Sequence, residues 1–261
     1  ISKHLLEKNK SAIQIAGSDP QEIKRTINIL NQIDIIKHVN FNLGCPSSRV
    51  QENMLGLALT QNYDLVKKCL FELINYKHEV SVKCRLGLGM NEDKNYIFSY
   101  LNLFKDIGIK KVFIHCRNGV LNLDTKKNRT IPQINYELFL ECSKKFPEME
   151  LIPNGEVNDL ETFNSFKSKN INKYMIGRQF AKDALFLEKL KLEKINDKTS
   201  LVLDSIKELD NYKYLNINLL KKSLFTLINN ISNSKGIKKD ISIIDNTKDL
   251  LNYIERKIIW T

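Results

Sequence analysis

Six short apolar runs, near residues 12 to 16, 35 to 43, 79 to 84, 110 to 115, 150 to 153 and 173 to 177, alternate with amphipathic helical segments. Strand and helix in regular alternation describe βαβ units, and therefore a parallel sheet whose neighbouring strands are joined by crossover helices. Helix starts are legible between the runs. Asp19 with Glu22, and Asn158 with Glu161, have the spacing of capping boxes, while Pro20 and Pro132 sit where a first helical turn accepts proline. Ile23, Ile27 and Leu30 fall at i, i+4 and i+7, and Leu160, Phe163 and Phe166 at threes, so each helix offers one apolar face to the sheet.

Almost every run ends in a polar or glycine cluster: Gln14 to Gly17, Asn42 with Cys45, Lys83-Cys84-Arg85, His115-Cys116-Arg117, Asn154-Gly155 and Gly177-Arg178. In a (β/α)8 TIM barrel all strand C-termini meet at one mouth and would form one site, whereas an open sheet spreads them along an edge. No Gly-x-Gly-x-x-Gly follows the first run, which disfavours a dinucleotide-binding sheet. An α/β barrel is expected, with about six of its eight strands in this sequence. Ile1 stands only a few residues before the first run, so two N-terminal strands are expected to be missing. Beyond Arg178 the pattern turns to helix after helix, broken near Asn233-Ser234-Lys235-Gly236. The expected domains are a catalytic barrel over 1–181 and an all-helical C-terminal domain over 182–261.

Composition narrows the partner. Forty-one Lys and Arg against 30 Asp and Glu give a net charge of +11, a balance suited to a polyanion. The same richness in Lys, Asn and Ile also follows from genome base composition, so clustering of charge on one face counts for more than the total. No apolar run approaches the roughly eighteen residues needed to span a bilayer, and no signal peptide is expected. Five cysteines without a Cys-x-x-Cys pair indicate neither a disulfide framework nor a zinc site, hence a reducing compartment, cytoplasmic or organellar, and no metal.

One cysteine stands apart. Cys45 occupies a Gly44-Cys45-Pro46 turn directly after an apolar strand, a place that reads as chemistry rather than packing. Around it, motifs run collinearly from residue 12 to about 180: Gln14 to Pro20, Asn40 to Gln51, Val82 to Gly87, Ile114 to Arg117, Lys127 to Pro132 with Tyr136, Asn154-Gly155 and Met175 to Arg178. As an ordered set they resemble the tRNA-dihydrouridine synthases, most closely the A-type subfamily.

That resemblance implies an FMN-containing TIM barrel that reduces a uridine of tRNA to 5,6-dihydrouridine, with NADPH recharging the flavin. Cys45 matches the general acid, a task suited to a thiol, which with a free pKa of about 8.5 is protonated at neutral pH yet gives up its proton readily. Lys83, at a strand end, is the kind of cation that stabilises charge on a reduced flavin ring. Gln14 and Asn42 match contacts to flavin or uracil, and His115 an element near the flavin phosphate. Asn154-Gly155 and Gly177-Arg178 end what would be the seventh and eighth strands, where barrels place phosphate sites, which independently favours a phosphate-bearing cofactor.

Toward RNA, the resemblance assigns Arg49, Arg85 and Arg117. In the helical region the subfamily's Arg-His pair is replaced by Lys222-Ser223, while Lys222, Lys235, Lys238 and Lys239 keep the segment basic. A monomer is expected. Two other functions fit the same residues: an FMN barrel oxidoreductase acting on a small pyrimidine, and an inactive RNA-binding remnant.

Overall fold

The computed structural model describes residues 12–182, 186, 190, 203, 204, 207, 216–228 and 231–258. The chain divides into two compact units, one of residues 3–156 with 171–175, the other of 157–170 with 176–261.

The first unit is α/β. Its strands are β1 (Ile13–Ile15), β2 (His38–Asn42), β3 (Glu79–Arg85), β4 (Lys111–His115) and β5 (Glu150–Asn154), all parallel and in sequence order across one sheet. The apolar run at 173 to 177 is corrected by the structure. It forms no strand and meets the sheet through a single bridge from Met175 to Asn154. The run at 35 to 43 begins pairing only at His38, because the carbonyl of Ile36 is taken by the hydroxyl of Tyr76 (2.6 Å).

Strand residues alternate, and the alternation sorts them to two faces. Val39, Phe41, Val82, Cys84, Val112 and Ile114 are buried beneath α1 (Pro20–Leu30), α3 (Tyr63–Leu73), α4 (Lys94–Ile107) and α5 (Tyr136–Lys145). The other face is largely polar, with Phe113 and Ile152 in register beside Lys83 as its apolar members. In register it carries Gln14 beside Asn40, Asn42 beside Lys83, and Arg85 beside His115 beside Asn154. Parallel sheets ordinarily bury apolar side chains on both faces, so a polar face of this extent is reserved for something other than packing.

Helix starts follow the expected chemistry with three corrections. Asp19 caps α1 by accepting the N–H of Gln21 (2.8 Å), with Pro20 at the first helical position, but Glu22 pairs with Arg25 instead of closing a capping box. Pro132 precedes α5 by several residues, across a cis Ile131–Pro132 bond, and Asn135 is the cap. In the second unit the cap of α6 (Leu160–Ser168) is Asp159, not Asn158, and of the expected apolar face only Phe166 is buried.

The second unit also contains α7 (Arg178–Lys182), α8 (Ile217–Leu227), α9 (Ser234–Ser242) and α10 (Thr247–Lys257). Leu220, Leu224, Ile237, Ile241, Leu250 and Ile254 form its core. The break expected at 233 to 236 ends at Asn233, whose left-handed backbone caps α9, so Lys235 and Gly236 are helical. No helix among the described residues is long and apolar enough to cross a membrane.

Candidate active site

Residues of β1, β2 and β3 on the polar face meet at the Cys45 turn. Asn42, the last residue of β2, sets it: its Oδ1 accepts the backbone N–H groups of both Gly44 (3.0 Å) and Cys45 (3.1 Å). Its Nδ2 donates to Gln14 Oε1 (3.2 Å), and Gln14 Nε2 donates in turn to Asn40 Oδ1 (2.7 Å). Asn40 Nδ2 donates to Ser81 Oγ (2.7 Å), which lies 2.6 Å from His38 Nε2. A chain of amides and a hydroxyl thus crosses three strands and ends on the cysteine's own amide. Such a network, satisfied link by link, fixes one arrangement because each break would strand a polar group.

Behind the turn stands Arg85. It is only 6% exposed, and its Nε donates to the Gly44 carbonyl (2.9 Å) while Nη1 donates to the carbonyls of Asn118 (2.9 Å) and Asn128 (3.2 Å). The planar fork ties the Cys45 turn to the loop after β4, something a lysine's single point of charge does not do. That loop is closed by Asn128, fully buried, which exchanges hydrogen bonds with both backbone groups of Val120. On the outer side, Gln51 donates to the Pro46 carbonyl (2.6 Å) and accepts from the N–H of Asn122 (3.0 Å). Gly56 lies against the turn with φ +57; a Cβ there would come 2.9 Å from the Cys45 carbonyl oxygen, so only glycine fits.

Cys45 itself is half-buried, with Sγ 3.4 Å from Ser47 Oγ. The other four cysteines are buried. Burial pushes the Cys69 thiol up to about 11 and the Cys84 thiol up to about 12, which leaves them inert. One thiol is therefore both accessible and held.

Charge collects beside it. Lys83, paired in register with Asn42, is half-buried, and no ion pair to it is formed among the described residues. Burial and the neighbouring Arg85 cation lower its pKa. Burial and the Arg117 cation likewise bring Arg85 down to about 10. Arg117, 2% exposed, binds the Glu156 carboxylate and the Pro132 carbonyl. Burial and the cations Arg85, Lys83 and Arg117 push His115 down to about 2, so its imidazole is neutral. His115 Nε2 is buried without a hydrogen-bond partner among the described residues. Facing it, Gly155 has φ +115, and a Cβ there would meet Ile134 at 3.0 Å and His115 Nε2 at 3.3 Å. An open polar nitrogen, a backbone kept bare and a cation without a carboxylate suit an anionic, hydrogen-bonding ring or phosphate.

A family model for dihydrouridine synthases matches residues 2–255. The chain belongs to the dihydrouridine synthase family. Over 170 residues it is 29% identical to a Pseudomonas aeruginosa protein named tRNA-dihydrouridine(20/20a) synthase, covering 64% of this chain and 51% of that protein. A protein of the same name from Pasteurella multocida is 30% identical over 173 residues, 66% of this chain and 52% of its own length. The Yersinia pestis relative, again of that name, is 29% identical over 202 residues, 76% and 58% of the two chains. The chain therefore spans about half the length of the curated relatives it matches.

Among the residues read from sequence, Cys45, Gln14, Asn42, Lys83, His115, Asn154 and Gly155 lie in the first unit, on the polar face or at its strand ends. Asn154 donates to the Met175 carbonyl (2.8 Å), and Gly155 accepts from the Tyr136 hydroxyl (2.7 Å). Gly177 and Arg178 belong to the second unit, where Arg178 opens α7 with its side chain exposed. Arg49 is exposed on α2 (Ser48–Glu52). Arg85 and Arg117, expected on an RNA surface, are instead buried, Arg85 bound to backbone carbonyls and Arg117 to Glu156 and the Pro132 carbonyl. Lys222 on α8 and Lys235 and Lys239 on α9 are exposed, and Lys238 is half-buried at the edge of that helix face. Asn40, Ser81, His38, Gln51 and Asn128 had no role from sequence. The period-two spacing of His38, Asn40 and Asn42 was the available signal.

Proposed function

We propose that this protein reduces a uridine of tRNA, at position 20 or 20a as the relatives' names say of them, to 5,6-dihydrouridine, with FMN as cofactor and NADPH as reductant. The observation that carries the reading is Lys83: a half-buried cation without an ion-pair partner among the described residues, beside the one accessible thiol and a neutral His115. FMN, when bound, supplies the hydride for one carbon of the uracil double bond. The rest falls to the chain. Cys45 releases its thiol proton to the neighbouring carbon, and Asn42 holds the turn from which it does so. Lys83 would stabilise negative charge on a reduced flavin ring, a contribution enlarged by its partial desolvation. Gln14 and Asn40 keep Asn42 oriented. His115 Nε2 and the bare backbone at Gly155 would help hold the cofactor, and Asn154 keeps that strand end in place.

The working division is a cofactor-binding half over 1–181, which forms part of a (β/α)8 barrel, and an RNA-binding half over 182–261. In the second half the exposed Lys222, Lys235 and Lys239, with Lys238 beside them, contact tRNA phosphates. Arg178 and Gly177 serve the flavin phosphate, and Arg49 meets RNA beside the cysteine turn. All five cysteines are free, which suits a monomer working in a reducing cytoplasmic or organellar compartment.

Purified full-length protein is expected to be yellow and, with NADPH, to add the mass of two hydrogens to an unmodified tRNA transcript. Cys45→Ala should keep the flavin absorbance and lose the reduction. A colourless wild-type protein that leaves the transcript unchanged overturns the reading, and reduction of free uridine in place of tRNA would favour a small-molecule enzyme.

A further inference from the structure

A second concavity lies on the outer side of the Cys45 turn, across Gln51 from Pro46. It is a cleft of about 630 Å³ in the first unit, between α2 with the segment that follows it and the loop around residues 121–125. Its size falls in the range of small-ligand sites, but its wall is unusually polar for one. Amides come from Gln51, Gln61 and Asn122, and carboxylates from Glu52 and Asp124.

The cleft is held open by its backbone. Two of the residues that line it, Met54 with φ 52 and Asn122 with φ 60, adopt the left-handed conformation. Asparagine tolerates that region; methionine rarely enters it. Met54 nonetheless keeps its side chain at the cleft, 44% exposed. Left-handed residues that are not glycine gather where a chain must present a surface to a ligand. Asn122 is tied through Gln51 to the Pro46 carbonyl, so the wall of the cleft and the cysteine turn form one hydrogen-bonded piece.

Charge tells which ligand fits. Asp124 Oδ1 accepts the N–H groups of Lys126 and Lys127, which fixes the carboxylate in place, and Glu52 adds a second negative group, so a phosphate is disfavoured inside. The residues that flank the lining in sequence are basic and exposed: Arg49 on one side, Lys126, Lys127 and Arg129 on the other. Amides read the polar edges of a base, a thioether lies against its face, a carboxylate accepts from a ribose hydroxyl, and flanking cations take the phosphates.

We propose that this cleft binds a nucleoside of the RNA substrate adjoining the uridine that is reduced, with Met54 and Gln61 as its contacts. The inference rests on the reduction of tRNA proposed above. Occupancy there places the neighbouring nucleotide at the Cys45 turn through the rigid Gln51 link.

The test uses the full-length protein, an unmodified tRNA transcript, and the variants Met54→Gly and Gln61→Ala. Glycine accepts the left-handed backbone, so Met54→Gly should keep or raise the thermal midpoint while removing the contact. Each variant is expected to raise KM for the transcript about tenfold, as one lost base contact does, with flavin content unchanged. The slope of log Kd against log salt should stay that of the wild type, since no phosphate contact is lost. If both variants keep KM within about twofold of an active wild type, or if the salt slope falls with affinity, the inference is wrong while the proposed activity stands. A wild type inert toward tRNA overturns the activity and this site together. Should Met54→Gly fail to fold, Gln61→Ala, at an exposed position, decides alone.

Discussion

At the scale of single residues, the site depends on side chains whose work is to hold backbone. Asn42 accepts two N–H groups of the Cys45 turn, so Asn42→Ala leaves both without their partner. A cost of about 1–3 kcal/mol is expected, together with faster alkylation of Cys45, measured by denaturant unfolding and thiol labelling. Arg85 is more exacting. Removing its guanidinium strands three buried carbonyls, and Arg85→Met should destabilise by roughly 3 kcal/mol or more, with Arg85→Lys recovering only part. His115 adds a pH dependence. Its folded pKa, about 2, lies below its ordinary value, so its contribution to stability is present above about pH 6.5 and is lost as pH falls toward its folded pKa. The loss approaches ~1.4 kcal/mol per pH unit, and His115→Asn should flatten the profile of unfolding free energy between about pH 6 and 4. The sequence pointed to Cys45, Lys83 and Asn42 because strand-end polar residues are visible as strings. It did not separate Arg85 and Arg117 from surface cations, since an arginine on a carbonyl and an arginine on a phosphate look alike until burial is known.

At the scale of elements, periodicity did most of the work. Ile23, Ile27 and Leu30 predicted the buried face of α1, and all three are buried. Asp19 with Pro20 predicted its start, and replacing the cap should matter. Asp19→Ala is expected to cost about 1 kcal/mol, with Asp19→Asn close to neutral, readable as a shift in thermal midpoint. Where neighbouring residues compete for one role, the string was ambiguous. Asn158 and Asp159 are both cap residues, and the structure chose Asp159, whose carboxylate accepts the N–H of Thr162 (2.8 Å). The run at 173 to 177 has the composition of a strand but pairs only at Met175, because composition describes a residue's fitness for a sheet and not the presence of a partner edge.

At the scale of the molecule, charge is distributed by kind of work. Along the starts of the strands, Lys111 bridges Glu79 and Glu150, and Lys173 also binds Glu150, far in sequence from the Cys45 turn. Burial opposes ionisation of Glu150, yet Lys173 and Lys111 outweigh it and hold its carboxyl below the ordinary range. Its stabilising share is therefore present at neutral pH and lost only in acid, below the usual carboxylate range. Two α9 lysines, by contrast, stand apart from such pairs. Lys235 and Lys239 are exposed away from the buried Ile237 and Ile241. Replacing either with alanine should weaken tRNA binding and lower the salt slope by about one, measured by filter binding across salt concentrations. The α/β class with its parallel sheet, the buried face of α1 and the place of Cys45 after an apolar strand were determined by the sequence alone, because they rest on order, period and spacing along one dimension. The polar ladder from His38 to Cys45, the burial of Arg85 and Arg117, the lack of an ion pair to Lys83 among the described residues and the cleft at Met54 were decided only by tertiary structure. Each depends on which strand lies beside which and on what water can reach, and these are set when distant segments meet.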